Sequence, residues 1–221
     1  MEQSLSGVGV LDKSLAVLDA VRAAEGPCTL GDLVAATGLA KATAHRLAAA
    51  LEVHGLLRRD DDGRYRLGLR LIALGRDAAA DWPLGLAARP ALERLRDATG
   101  ESAQLYVRDG DRRACLVSLE SPHELRTIVE EGARLPLGVG SAGRLLSGEA
   151  PGAGGWAASA GERAPGVGSV SAPVVVDGEV VAAVGVSGPL ERLGPEPGPA
   201  FGPAVVAAAS EVGASLAGRA W

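Results

Sequence analysis

Cysteine, histidine and aromatic side chains are all scarce in this 221-residue chain, which holds two Cys, three His, one Phe, two Tyr and three Trp. Cys28 and Cys115 stand far apart, with no companion Cys and no nearby His pair. That spacing excludes the ordinary zinc sites and predicts two buried small hydrophobes. His45, His54 and His123 give Ser141 no cue for a base partner, and no nucleophile-elbow pattern occurs. The expectation is no catalytic residue, no metal and no cofactor. A positive surplus is absent too. The formal net charge of -5 argues against a protein that coats nucleic acid indiscriminately, but leaves room for a site-specific binder whose cations cluster on one face. The apolar stretch from Val174 to Val186 is broken by Asp177-Gly178-Glu179 and is too short to span a bilayer. Residues Met1 to Ser4 open without a basic stretch followed by an apolar one, so no signal peptide and a cytoplasmic location are expected.

Aliphatic residues supply the bulk that aromatics do not. With 47% hydrophobic residues the chain can bury the core of one large domain or two small ones. Val10, Leu11, Leu15, Leu18 and Val21 recur at helical spacing and predict a first helix over 11–24, stopped by Gly26-Pro27. Thr29 is a natural N-cap for a second helix, with Asp32 in a capping-box position and Leu30, Leu33 and Val34 on the buried face. Gly38 permits the left-handed backbone of a tight turn, and a third helix follows over 41–53 with Leu47 and Leu51 on one side. Leu56-Leu57-Arg58-Arg59, a turn through Asp62-Gly63, and Arg64-Tyr65-Arg66-Leu67 read as a hairpin. Helix, turn, helix and hairpin form the winged helix-turn-helix, whose second helix enters a major groove. Leu67, Leu71 and Leu74 predict a linker helix over 69–80, and Trp82-Pro83 marks a domain boundary.

The cations of this first part are concentrated between Lys41 and Arg70, whereas the acidic surplus lies in the C-terminal two thirds. Groove reading needs donors and acceptors near the start of the recognition helix, which places Lys41, Ala42, Thr43, His45 and Arg46 at the DNA. Arg46 can take guanine bidentately or clamp a phosphate, and Thr43 can bond a phosphate or touch a thymine methyl group. Arg58, Arg59, Arg64 and Arg66 flank the hairpin, where a wing meets phosphates or the minor groove. Of these, Arg58, Arg64 and Arg66 are the chosen contacts. Asp60, Asp61 and Asp62 at the tip repel phosphate and are expected to point away. One head makes too few contacts for strong specificity, so two copies on a palindromic double-stranded operator are expected, with the linker helix as their seam.

The second half predicts a helix over 83–98, strands over 102–108 and 113–119, and a further strand over 125–130. A helix from Ser141 to Leu146, a loose Gly/Ala-rich stretch over 148–161, a hairpin of strands 169–176 and 179–187, and a last helix ending near Gly218 complete it. Gly138-Val-Gly140-Ser-Ala-Gly143 spells the GxGxxG of dinucleotide turns, with Glu162 near the required acid. However, Glu130 to Arg134 is no buried parallel strand, and few βαβ units follow. The better fit is a glycine-rich approach to a helix whose free N–H groups hold a small anion such as a carboxylate.

Several motifs fall in one order along the chain. Gly38-Leu-Ala-Lys-Ala-Thr43-Ala-His45-Arg46-Leu47 is followed by Gly55-Leu56, then by Gly132-Ala-Arg-Leu-Pro136-Leu137 and Ser141-Ala-Gly143-Arg144. Gly161-Glu162-Arg163 with Pro165-Gly166-Val167, Ser171-Ala172-Pro173-Val174 and Val186-Ser187-Gly188-Pro189 come after. Together they resemble the IclR family of bacterial transcription regulators across both halves. The resemblance implies an α+β chain with a winged helix-turn-helix domain over 1–68, a linker helix over 69–81 and an α/β GAF-like effector-binding domain over 82–221, assembled as homodimers or tetramers. It implies an effector pocket lined by Gly140, Ser141, Ala142, Ser169, Ser171 and Ser187 with Tyr106 nearby, where small residues make room and hydroxyls orient a small carboxylated metabolite. Gly100-Glu-Ser-Ala-Gln104-Leu-Tyr106 and Gly161-Glu-Arg-Ala-Pro-Gly look closest to an actinobacterial group linked to amino-acid metabolism, leucine biosynthesis in particular. In one respect the chain departs from the family. Only Gly148 to Gly155 stand between the Gly143 helix and Trp156, where family members carry a longer segment that covers part of the pocket. That shortening bears on ligand binding rather than on DNA binding. The function expected is a sequence-specific regulator, repressor or dual, whose operator affinity a metabolite modulates. The alternatives are a constitutive dimeric DNA-binding protein with a degenerate sensor, and a small enzyme on the C-terminal domain.

Overall fold

The computed structural model describes residues 6–80 and 83–217. Met1 to Ser4, Trp82 of the expected boundary and Gly218 lie outside the described residues. The chain divides into two compact units, Met1–Asp81 and Trp82–Trp221.

In the first unit α1 (Gly9–Ala23), α2 (Leu30–Thr37) and α3 (Lys41–Val53) enclose Val17, Val21, Leu33, Leu47 and Leu51. The hairpin β1 (Leu57–Arg59) and β2 (Tyr65–Leu67) closes this core with Leu57 and Tyr65. Thr29 caps α2 as its sequence position predicts: Thr29 Oγ1 accepts from the Asp32 N–H at 3.2 Å, and the Asp32 carboxylate accepts from the Thr29 N–H at 2.8 Å. Gly38 ends α2 at φ +66°, where a side chain would be strained. Cys28 exchanges two backbone hydrogen bonds with Tyr65, so the hairpin gains a third short edge. A last helix, α4 (Arg70–Ala80), leaves Leu69 at its start and Ile72 and Leu74 exposed.

The second unit is a six-stranded antiparallel sheet ordered β5-β4-β3-β8-β7-β6. Its strands are β3 (Ser102–Asp109), β4 (Arg112–Leu119), β5 (Arg134–Pro136), β6 (Ala157–Ala160), β7 (Val167–Val176) and β8 (Glu179–Pro189). The helices α5 (Pro83–Thr99) and α8 (Gly198–Leu216) cover one face; α6 (Gly140–Leu146) covers the other, and the short α7 (Leu190–Leu193) follows β8. Strand alternation sorts the side chains. Ala103, Leu105, Val107, Val170, Ala172, Val174, Val184 and Val186 pack under α5 and α8, while Tyr106, Cys115 and Ala183 join Ala142 and Leu146 on the α6 side.

Two expectations need correction here. Residues 125–130 form no strand. Two of their carbonyls are taken by side chains instead: Ser102 Oγ donates to Thr127 O at 2.7 Å and Arg192 Nη1 to Leu125 O at 2.8 Å. Pairing with β4 begins only at Gly132 and Ala133 and continues as β5. The Gly/Ala-rich stretch over 148–161 is also not wholly loose, because Ala157–Ala160 is the edge strand β6, paired with β7. Every strand pairing in this sheet is antiparallel, unlike the parallel βαβ unit that a dinucleotide turn at Gly138 to Gly143 would need.

Candidate functional site

The recognition helix presents its polar start as the sequence predicts. Lys41, Ala42, His45 and Arg46 are exposed and Thr43 is half-buried, whereas Ala44, Leu47 and Ala48 face the core. No side chain caps α3. Its first backbone N–H groups and its dipole are therefore available to a phosphate oxygen.

On the hairpin the register decides which arginines can serve. Arg58 pairs across from Arg66, and Arg59 across from Tyr65. Alternation puts Arg58 and Arg66 on one face and Arg59 on the other, and Arg64, just before β2, is exposed. Arg59 is exposed but held in place by Glu52 at 3.1 Å, by the Tyr65 hydroxyl at 3.0 Å and by the Tyr65 ring. Asp60 is a turn organiser rather than a free tip charge. Its carboxylate accepts from the N–H groups of Arg64 and Asp62 and pairs with Arg66 at 3.5 Å. The Arg64 N–H, with the other neighbours, holds the Asp60 carboxyl below the usual carboxylate range. Asp61 and Asp62 are exposed.

In the second unit, all seven residues named for the pocket surround one small polar cavity between α6 and the sheet. Tyr106 comes from β3, Gly140, Ser141 and Ala142 from α6, Ser169 and Ser171 from β7, and Ser187 from β8. The Ser141 hydroxyl lies 2.8 Å from the hydroxyls of both Ser169 and Ser171. The cavity holds about 20 Å³, room for about one water.

Sequence reasoning missed the two arginines that give this cavity its charge, Arg113 and Arg163, and the neutral amide of Gln104 beside them. Arg113 is 3% exposed, and among the described residues no carboxylate lies within ion-pair distance of it. Its Nη1 donates to the carbonyls of Pro136 and Val139 at 2.6 and 2.5 Å, its plane lies over the Tyr106 ring, and its Nε has no partner. Burial pulls its pKa down from the usual arginine value, yet a guanidinium stays charged at neutral pH. Gln104 is 1% exposed. Its carbonyl accepts from Ser187 Oγ at 3.1 Å, while its Nε2 has no partner. Gly143 is required here because a Cβ would collide with the Arg113 guanidinium. Nearby, burial pushes the Cys115 thiol up to about 12, so it stays protonated and unreactive.

The start of α6 differs from the expectation of free N–H groups. The Gly140 N–H donates to Glu162 at 3.0 Å, so the chain's own carboxylate occupies that position, with Arg144 pairing the same acid at 3.3 Å. The sequence signal for Arg113 is partial: a cation in line with Cys115, Val117 and Leu119, whose strict alternation would turn it away from the cavity.

A helix-turn-helix head joined to a sheet domain with an enclosed polar cavity defines a regulator that reads DNA and senses a small molecule. Residues 10–61 match the IclR helix-turn-helix domain, and residues 78–153 and 149–214 match the bacterial transcriptional regulator IclR C-terminal domain. The chain belongs to the IclR family of transcriptional regulators, which bind DNA and are not enzymes. The glycerol operon regulatory protein of Streptomyces griseus is 30% identical over 224 residues, covering 86% of this chain and 88% of that protein. The regulator KipR of Bacillus subtilis is 34% identical over 118 residues, spanning 53% of this chain and 47% of that protein. Among solved structures, an IclR homolog from Microbacterium hydrocarbonoxydans complexed with 4-hydroxybenzoate shares the fold at TM-score 0.75 and 24% identity, covering 94% of this chain and 98% of that one. The two matched C-terminal pieces meet at 149–153, within the short connection that precedes Trp156.

Proposed function

We propose that residues 1–68 read operator DNA, that 69–81 link and pair two copies, and that 82–221 hold a small carboxylated metabolite which changes operator affinity, so that the chain acts as a repressor or dual regulator in the cytoplasm. Lys41, Ala42, Thr43, His45 and Arg46 enter the major groove; Arg58, Arg64 and Arg66 meet phosphates. Exposure of this face, with no cap on α3, supports that assignment. The observation that carries the effector class is Arg113, a buried cation with no acid partner among the described residues, lining the same cavity as three clustered serine hydroxyls. A buried charge is stable only when paired or well hydrogen-bonded, so such a cavity favours an anion with acceptor oxygens. Ser141, Ser169, Ser171 and Ser187 then orient it, with Gly140, Ala142 and Tyr106 shaping the walls. The short connection over 148–155 does not abolish the cavity. The narrower link to leucine biosynthesis rests on two short stretches, Gly100 to Tyr106 and Gly161 to Gly166, and no named relative above supports it. The test is operator retention titrated with a panel of small carboxylates and amino acids. A shift of midpoint by fivefold or more with at least one acid supports the reading. Indifference to every compound, in a chain that still binds DNA, favours the constitutive alternative.

A further inference from the structure

The recognition helix α3 is closed at its far end by Gly55, which sits at φ +70°. The Gly55 N–H donates to Glu52 O and the Leu56 N–H to Leu51 O, both at 2.9 Å, in the pattern of a left-handed glycine cap. The carbonyls that follow, those of His54, Gly55 and Leu56, are all taken by the start of the linker. Arg70 Nη1 donates to His54 O at 3.1 Å, the Arg70 N–H to Gly55 O at 3.3 Å, and the Gly68 N–H to Leu56 O at 2.8 Å.

Close backbone approach makes this contact possible. Gly68 is buried, and a Cβ there would collide with the carbonyl group of Gly55, so a side chain at Gly68 would push the two segments apart. The C-terminal end of α3 thus meets the first turn of α4, negative pole against positive pole, with the Arg70 guanidinium on the negative one. Arg70 is exposed and ends the run of cations that begins at Lys41, yet its Nη1 is committed to the chain's own backbone. Further along, α4 exposes Ile72 and Leu74, so its direction against α3 is set at this joint.

We propose that Gly55, Gly68 and Arg70 weld the recognition helix to the linker helix, so that the two move as one piece and set the distance and phase between the half-sites a dimer reads. This rests on α3 entering the major groove and on the linker helices pairing two copies. Arg70 is then a positioning residue: it touches no DNA, and it fixes where α3 points once α4 is held by its partner. A slack joint would let each head turn independently and accept half-sites at several separations.

The experiment measures binding of the full chain to a palindrome selected from random sequence, to versions with its half-sites moved by one or two base pairs, and to a single half-site. Each base pair shifts a half-site by about 3.4 Å and about 35° of phase. The parent should lose at least about tenfold in affinity at every altered spacing. Because Arg70 is exposed, Arg70→Ala and the bulkier Arg70→Met should both stay folded, as circular dichroism melts will show. Both should lose less than about threefold at one base pair, with the parent's salt slope and single-half-site affinity. Arg70→Lys, which can still donate to the His54 carbonyl, should restore the strict spacing. Parent-like strictness in Arg70→Ala and Arg70→Met would overturn the joint and leave the pairing standing. A salt slope lowered by about one, with equal weakening on single and paired sites, would make Arg70 a phosphate contact and overturn the proposal. A parent that binds paired sites no better than a single one would remove the pairing, and the joint's role with it.

Discussion

At the scale of single residues, the wing shows how one strand register gives neighbouring arginines different work. Arg58 and Arg66 share an outward face and Arg64 beside them is exposed, whereas Arg59 is spent on Glu52 and Tyr65. The salt dependence of operator binding separates the two sets, because each lost phosphate contact lowers its slope by about one. Arg64→Ala should show that loss, and Arg59→Ala should leave the slope unchanged while lowering the melting temperature of the head. Equal effects from both would remove the register argument. Arg46→Ala should weaken binding by about 1–3 kcal/mol and relax preference at one base pair, read by competition among operator variants.

Among the elements, the cap of α2 predicts a pH response. Backbone and side-chain hydrogen bonds from Thr29 hold Asp32 below the usual carboxylate range. A carboxyl depressed by folding contributes stability that is present above its unfolded pKa, near 4. That contribution fades as pH falls through the lower folded value. Asp32→Asn should therefore lower head stability at neutral pH and flatten its decline in acid, as followed by circular dichroism melts. The helices of the head, its capping box and its hairpin were all legible in the sequence, since each is set by local spacing and turn chemistry. What the sequence hid was non-local. A β-bulge at Leu105/Tyr106 shifts the register of β3 against β4, pairing Leu105 with Val117 but Tyr106 with Cys115. Arg113 and Cys115 therefore face α6, although strict alternation from Val117 and Leu119 would send them to the other side. The serines of the cavity came from motif order, but its charged donors depended on that bulge. The absent strand at 125–130 has a similar cause, because the carbonyls of Leu125 and Thr127 are claimed by Arg192 and Ser102 from distant positions.

Across the whole molecule, a DNA-reading unit and a ligand-sensing unit share one chain, and the segment between them carries unburied apolar residues. Leu69 is 72% and Ile72 66% exposed, and α1 adds Val10 and Leu11. Exposed apolar surface of this kind is what the proposed pairing of two copies would bury. Leu69→Glu/Ile72→Glu should lower the mass seen by light scattering and weaken operator binding far more than any single contact, since paired half-sites are lost. An unchanged mass would place the seam elsewhere. The most direct test of a dimeric, base-reading regulator is a footprint of the purified chain on DNA selected from random sequence at physiological salt. The account predicts one palindrome, with two protected half-sites about one helical turn apart, and loss of that pattern in Arg46→Ala. Protection without sequence preference, equally strong in Arg46→Ala, would contradict it.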